Sequence, residues 1–174
     1  LITGSCGLVG AESVRFFSDK GFDVIGIDNN QRKFFFGKDG DVNWVKKDLI
    51  KNNKNYSHYD VDIRNYYKLD KIFKKYKKKI NLIIHSAAQP SHDWAIKKPF
   101  VDFEINAKGT LNLLELTKIY SPSSPFIFMS TNKVYGDNPN KLPLTEKKTR
   151  WEIDTKHLFF NGITEKMSID KAVH

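Results

Sequence analysis

The apolar positions of this chain fall into two kinds of segment that alternate. Short runs cover Phe22–Ile27, Tyr56–Val61, Ile80–His85 and Pro125–Ser130. Ile80–His85 is largely apolar along its length, as a strand buried on both faces of a parallel sheet would be. Between these runs the spacing is helical. Residues 8 to 20 predict a first helix, with Gly21 as its C-terminal cap. Asn65–Tyr76 has apolar side chains at 66, 69, 72, 73 and 76, the mark of one buried helix face. Phe100–Tyr120 carries Leu111, Leu113, Leu114 and Leu116 and predicts one long helix. The segment 29–54 is polar, spotted with aromatics and weakly periodic, with a short amphipathic helix expected near 41–51. Beyond Thr131 the chain reads as polar and irregular. Repeated strand–helix units of these lengths predict an α/β fold, a Rossmann-like doubly wound parallel sheet.

The first unit carries the chemistry. The opening Leu1-Ile2-Thr3-Gly4-Ser5-Cys6-Gly7-Leu8-Val9-Gly10 places glycines in a G-x-x-G-x-x-G pattern between a strand and a helix. Asp28 follows 24 residues after Gly4, at the tip of the second strand. That layout binds a dinucleotide. Gly4 permits a tight turn directly off the strand, Gly7 lets backbone approach a pyrophosphate, and Gly10 lets the helix pack closely. The helix N-terminus then aims N–H groups and partial positive charge at the phosphates. A carboxylate at Asp28 accepts both adenine-ribose hydroxyls and repels a 2′-phosphate, which favours NAD over NADP. Arg32 and Lys33 lie close enough to keep NADP in play. The expected cofactor contacts here are Gly4, Gly7, Leu8, Val9, Gly10, Asp28 and the adjacent Asn29.

Composition changes this picture little. The 174 residues suffice for one domain with a core, at 40% hydrophobic and 28% charged. The net charge of +9 raises nucleic-acid binding. Its lysines, however, are scattered in pairs and triplets such as Lys46-Lys47, Lys77-Lys78-Lys79 and Lys147-Lys148, and read as a solvated surface. No nucleic-acid or membrane partner is expected, since no run approaches about 18 apolar residues. Cys6 is the single cysteine, so no internal disulfide forms. With no secretory-signal pattern, a cytoplasmic location is expected. No metal site is expected either. Only two apolar residues, Leu1 and Ile2, precede the turn, and no Met opens the chain. One NAD-binding domain over 1–174, clipped at both ends, is therefore the expected organisation.

Three further stretches carry a family resemblance. They are Ile83-Ile84-His85-Ser86-Ala87-Ala88-Gln89-Pro90-Ser91-His92-Asp93-Trp94, Asn106-Ala107-Lys108-Gly109-Thr110, and Ser130-Thr131-Asn132-Lys133-Val134-Tyr135-Gly136. With them the chain resembles the extended short-chain dehydrogenase/reductase superfamily, specifically its NAD-dependent nucleotide-sugar epimerases and dehydratases. The Ala87–Trp94 run, the run from Ser130 to Gly136, and Arg150-Trp151-Glu152-Ile153 narrow the likeness to 2-epimerases of CDP-linked dideoxyhexoses. The resemblance implies that a tyrosinate removes the proton from a sugar hydroxyl while NAD takes the hydride from the same carbon. The hydride then returns to the opposite face of the keto-sugar.

The resemblance also implies roles. Asp62, followed by Ile63, matches an adenine-contacting acid; the alternative for Asp62 is a helix N-cap. Ala87, Ala88 and Gln89 would line the cofactor crevice, and Asn106 matches a helix asparagine near it. Ser91, His92 and Asn132 would face the sugar. Thr131 matches the Ser/Thr of a Ser/Thr-Tyr-Lys triad, its hydroxyl stabilising charge on the substrate oxygen. Related dehydratases carry Asp-Glu where Asn132 and Lys133 stand, so dehydration is disfavoured.

The Tyr-x-x-x-Lys pair of the resembled enzymes puts both side chains on one helix face, where the ammonium lowers the phenol pKa. Here only Tyr67 has a lysine four residues on, Lys71, ahead of the fourth strand and out of order. The true motif is expected beyond His174, along with a C-terminal substrate domain. The chain alone should therefore be inactive, and the full-length protein is expected to form homo-oligomers. Three alternatives stay open: another epimerase, decarboxylase or reductase of the superfamily, a non-catalytic NAD-binding protein, and an RNA-binding role.

Overall fold

Five parallel strands form one sheet in the order β3-β2-β1-β4-β5. They are β1 (Ile2–Thr3), β2 (Val24–Ile27), β3 (Tyr56–Tyr59), β4 (Ile83–His85) and β5 (Phe126–Phe128). The computed structural model describes residues 1–131 and 134–169. Within the sheet Ile2 is flanked by Gly26 and Ile84, and Thr3 by Ile27 and His85. The order reverses at β1, so the β1 and β4 exits flank the crevice in which open α/β sheets bind ligands.

Helices cover both faces, and alternation along each strand divides the core accordingly. Val24, Ile2 and Ile84 pack with Ala11 and Val14 of α1 (Leu8–Asp19) and with Val45 and Leu49 of α3 (Asn43–Asn52). Ile25, Ile27 and Ile83 pack instead with Leu69, Ile72 and Phe73 of α4 (Tyr66–Tyr76) and with Leu113 and Leu116 of α7 (Gly109–Tyr120). This two-sided burial explains the apolar run before His85.

Helix limits follow local chemistry. α1 stops where Gly21 takes φ +83°. Asn65 caps α4, its side-chain oxygen accepting from the Lys68 amide at 3.0 Å. Asn65→Ala is expected to lower stability by about 1 kcal/mol, read as a shift in the urea unfolding midpoint. An unchanged midpoint would show that the cap contributes nothing.

The sequence pattern erred in three places. The long helix expected over Phe100–Tyr120 is interrupted. α6 (Pro99–Phe103) leads into a π-helical turn, Glu104–Lys108, before α7. Two further short helices, α2 (Gln31–Phe36) and α5 (His92–Lys97), sit in stretches too short for periodicity to reveal. The residues beyond Thr131 are not wholly irregular.

The chain divides into two compact units, Leu1–Met129 and Ser130–His174. The second holds an antiparallel hairpin of β6 (Leu144–Glu146) and β7 (Trp151–Ile153), in which Thr145 pairs with Glu152. The Lys147 amide closes its turn on the Arg150 carbonyl at 2.8 Å. In the first unit, a cavity of about 320 Å³ opens at the N-terminal ends of the strands, lined by Leu1, Val24, Leu82 and Pro125 among others. That is the end of the sheet opposite the glycine turn. Among the described residues no helix is long and apolar enough to cross a membrane.

Candidate functional site

The glycine turn is built by close contact. Gly4 takes φ +66°, and its amide donates to the Ile27 carbonyl at 2.8 Å. A Cβ on Gly4 would stand 2.7 Å from the Ala87 nitrogen. At Gly10 a Cβ would stand 2.0 Å from the Gly4 carbonyl oxygen, a distance no real pair shows. Gly10 therefore seats α1 on the turn itself rather than on the body of the sheet. Gly7 starts α1 in an extended conformation with no side-chain cap. Leu8 and Val9 follow exposed, at 87% and 45%. A close-fitting backbone cradle at an uncapped helix start fits a pyrophosphate.

Asp28 is locked to this turn. Its Oδ2 accepts from the Cys6 amide at 3.0 Å and its Oδ1 from the Asn30 amide at 2.8 Å. Asn30 adopts the left-handed region, with φ 56°. Burial and the Asp28 charge push the Cys6 thiol up to about 12, so it is no nucleophile near neutral pH. The two cations that kept NADP in play are engaged elsewhere. Lys33 pairs with Asp41 at 2.9 Å, and the Arg32 guanidinium lies over the Phe36 ring at 5.0 Å.

Next to Asp28, the Asn29 side chain donates to Asp62 at 3.0 Å. Asp62 is not the N-cap of α4, since Asn65 fills that role. It is partly buried, yet bonding to the Arg64 guanidinium and amide draws its pKa below the ordinary value. Ile63 points its side chain away from the crevice into the core, where it takes up the space a Cβ on Gly109 would need.

The exit of β4 forms the other wall. Ala87 is half-buried and Ala88 exposed. Gln89 is buried, and its amide group donates to the Ser91 carbonyl and to Asp102 at 2.9 and 2.8 Å. Asn106 lies in the π-helical turn. It accepts from the Gln89 amide at 2.9 Å and donates to the Gln89 carbonyl at 3.1 Å. Gln89 and Asn106 thus hold the loop in shape by their side chains, and Ser91 caps α5 by accepting from the Trp94 amide. His92 is exposed in the first turn of α5. A π-helical turn commonly marks a functional position, and this one supplies the asparagine.

Two features escaped the sequence reading. Trp94 donates its indole N–H to the Phe35 carbonyl at 2.9 Å and packs edge-on against the Phe35 ring. This joins α5, after β4, to α2, after β2. The aromatic run Phe34-Phe35-Phe36 and Trp94 were visible, but only the fold shows that they meet. The second feature is His85, 2% exposed beneath the crevice. Thr110 Oγ1 donates to the Asn106 carbonyl at 2.6 Å, so it accepts from His85 Nε2–H at 2.9 Å. His85 Nδ1 then accepts from the Thr3 hydroxyl at 2.7 Å. Burial lowers the His85 pKa to about 4, consistent with this neutral form.

Thr131 is exposed in the second unit. Asn132 and Lys133 lie outside the described residues. Tyr67 of the out-of-order Tyr67/Lys71 pair is 80% exposed on α4. No group of three or more His, Cys, Asp or Glu capable of holding a metal occurs among the described residues.

The sheet order, the glycine turn and the acid closing β2 define a Rossmann-like domain of the dinucleotide-binding class. The chain belongs to the NAD dependent epimerase/dehydratase family, which matches residues 1–157. It is 35% identical to CDP-paratose 2-epimerase of Salmonella typhi over 98% of this chain and 46% of that protein. The chain thus spans about half the length of this curated relative. Among solved structures, UDP-glucose 4-epimerase of Thermotoga maritima with UDP-glucose aligns with TM-score 0.63 and 29% identity, over 82% of this chain and 41% of that one. UDP-glucose 4-epimerase of Thermus thermophilus in complex with NAD aligns with TM-score 0.64 and 26% identity, over 85% and 42%.

Proposed function

We propose that this chain binds NAD across the β2, β1 and β4 exits and is the cofactor-binding part of a nucleotide-sugar epimerase. The carrying observation is the bond from the Cys6 amide to Asp28, which makes the phosphate cradle and the ribose-binding acid one unit. Gly4, Gly7 and Gly10 shape the cradle, and the amides of Leu8 and Val9 open α1 toward the pyrophosphate. Asp28 and Asn29 receive the adenine ribose. Asp62 reaches the adenine amine by giving up part of its bonding to Arg64, with the Ile63 backbone beside it. Ala87, Ala88 and Gln89 form the nicotinamide-side wall that Asn106 braces. NAD supplies a hydride acceptor that can return the hydride to either face of a sugar carbon.

The 35% identity to CDP-paratose 2-epimerase supports a CDP-linked dideoxyhexose epimerised at C2 as the substrate. Ser91, His92 and Asn132 are assigned to the sugar and Thr131 to the substrate oxygen. No Tyr-x-x-x-Lys follows β5 within the 174 residues. The chain alone is therefore expected to bind NAD without turning over substrate.

Titration with NAD and NADP tests the cofactor assignment. NAD should bind more tightly. Asp28→Ala should weaken NAD roughly tenfold, the effect of losing charge-assisted bonds to the ribose, and should narrow the gap to NADP. Equal binding of both cofactors by the parent chain would overturn the assignment. Substrate class is tested by equilibrium binding of CDP-paratose and of UDP-glucose to the NAD-loaded chain, and tighter binding of UDP-glucose would overturn the CDP reading.

A further inference from the structure

The glycine turn is held on a second side, through a side chain that belongs to neither β1 nor β2. Tyr56 begins β3, two strands away from the turn in the sheet order. Its ring crosses the intervening β2 over Gly26. A Cβ on Gly26 would stand 2.3 Å from the Tyr56 hydroxyl and 2.4 Å from a ring carbon, so only glycine leaves the passage open. At the far end the Tyr56 hydroxyl meets Ser5 Oγ at 2.9 Å. Ser5 lies between the first two glycines of the turn, and both residues are buried, at 0% and 8% exposed.

The contact continues outward as a directed chain. Tyr56 OH lies 2.8 Å from His58 Nδ1, and His58 Nε2 lies 3.2 Å from Asp60 Oδ1. Asp60 is paired with Lys46 at 2.6 Å. A carboxylate only accepts, so neutral His58 carries its proton on Nε2. Its Nδ1 then accepts from Tyr56, and the Tyr56 oxygen accepts from Ser5. The Ser5 hydroxyl is thereby fixed toward Tyr56, beside the Cys6 amide that Asp28 holds from the other side.

Resting on the NAD reading above, we infer that Tyr56 is a positioning residue of the phosphate-binding turn, acting on Ser5 across Gly26. It touches no ligand itself. It fixes the rotamer of a turn residue, and so the direction of the backbone N–H groups that meet the pyrophosphate. Hydrogen bonds in a buried network of this kind hold a backbone in one arrangement. Losing the anchor lets the turn relax, and the ligand then has to pay the ordering.

The test uses the 174-residue chain and its Tyr56→Phe, Ser5→Ala and double variants. Each is titrated with NAD, ADP and adenosine by calorimetry, with thermal unfolding measured alongside. Tyr56→Phe keeps the ring over Gly26 and removes only the hydroxyl. It is expected to weaken NAD and ADP about five- to tenfold, the effect of one lost buried hydrogen bond. Adenosine, which lacks the pyrophosphate, should change less than about twofold. Ser5→Ala should act likewise, and the double variant should be no weaker than the poorer single one. Three outcomes would overturn the inference: unchanged NAD and ADP affinity in Tyr56→Phe despite a lowered unfolding temperature, equal losses for adenosine and ADP, or additive effects in the double variant. Failure of the parent chain to bind NAD would overturn the underlying cofactor reading as well.

Discussion

Gly10→Ala is expected to abolish useful NAD affinity, with a loss of roughly 100-fold. The added Cβ would lie 2.0 Å from the Gly4 carbonyl oxygen, 2.7 Å from the Gly4 carbonyl carbon and 2.9 Å from the Ser5 Cα. All three are backbone atoms, so no flexible side chain can yield. The start of α1 must move away from the turn, or the turn must open. Either displacement breaks the register between the first helical amides and the backbone of the glycine turn. Overpacking of this sort costs about 1–3 kcal/mol, and the upper end corresponds to roughly 100-fold in a binding constant. The same substitution at Gly21, where a Cβ meets nothing within 4 Å, gives a control that removes a glycine without a clash. Its φ of +83° makes it cost stability at the end of α1 rather than affinity. NAD titration of the folded variants checks the difference. If Gly10→Ala bound NAD as tightly as the Gly21 control, the cradle would not be the cofactor site.

The legible parts of this molecule are those whose signal is local. The first helix was readable from Gly21 as its C-terminal cap, and α4 from 3.6-residue periodicity over its eleven residues, although the residue that caps it proved to be Asn65 rather than Asp62. The glycine turn was readable because its spacing is set by backbone sterics, and Asp28 because the acid ends a strand. The π-helical turn was not readable. Its sequence, Glu104-Ile105-Asn106-Ala107-Lys108, has ordinary helix formers, and what distinguishes it is the bonding of Asn106 to a loop 17 residues earlier. α2 and α5 are too short to show a period, and the aromatic contact between them exists only once β2 and β4 are placed around β1. His85 read as the last residue of an apolar strand. Its role depends on Thr3 and Thr110, which are 82 and 25 residues distant. Sequence thus located the cradle, whereas the residues that hold the cradle in place came from the fold.

Acid should destabilise this chain in the window set by His85. The ring is 2% exposed, and its pKa falls from 6.5 to about 4 because burial disfavours the imidazolium. Its bonding gives the same direction. Nδ1 accepts the Thr3 hydroxyl, and protonating it would set two donors against each other unless Thr3 turned toward another acceptor. Between pH 6.5 and 4 the unfolded chain therefore binds a proton that the folded chain refuses. Stability is fully present above about 6.5, falls as pH drops through the window, and levels off for this group below about 4. The folded and unfolded values differ by about 2.5 units, which corresponds to roughly 3 kcal/mol. His58, whose pKa is also lowered by burial, contributes in the same sense. Asp60 and Asp62, with pKa values held down by Lys46 and Arg64 respectively, act below the carboxylate range. Comparing His85→Gln with the parent isolates the histidine from these. Urea unfolding at pH 7 and at pH 4.5 should show the parent losing most of that stability, while the variant, weaker at pH 7, loses much less. Equal pH dependence in the two proteins would mean that His85 is protonated in the folded state, and the neutral Thr3–His85–Thr110 bridge beneath the β4 exit would be wrong.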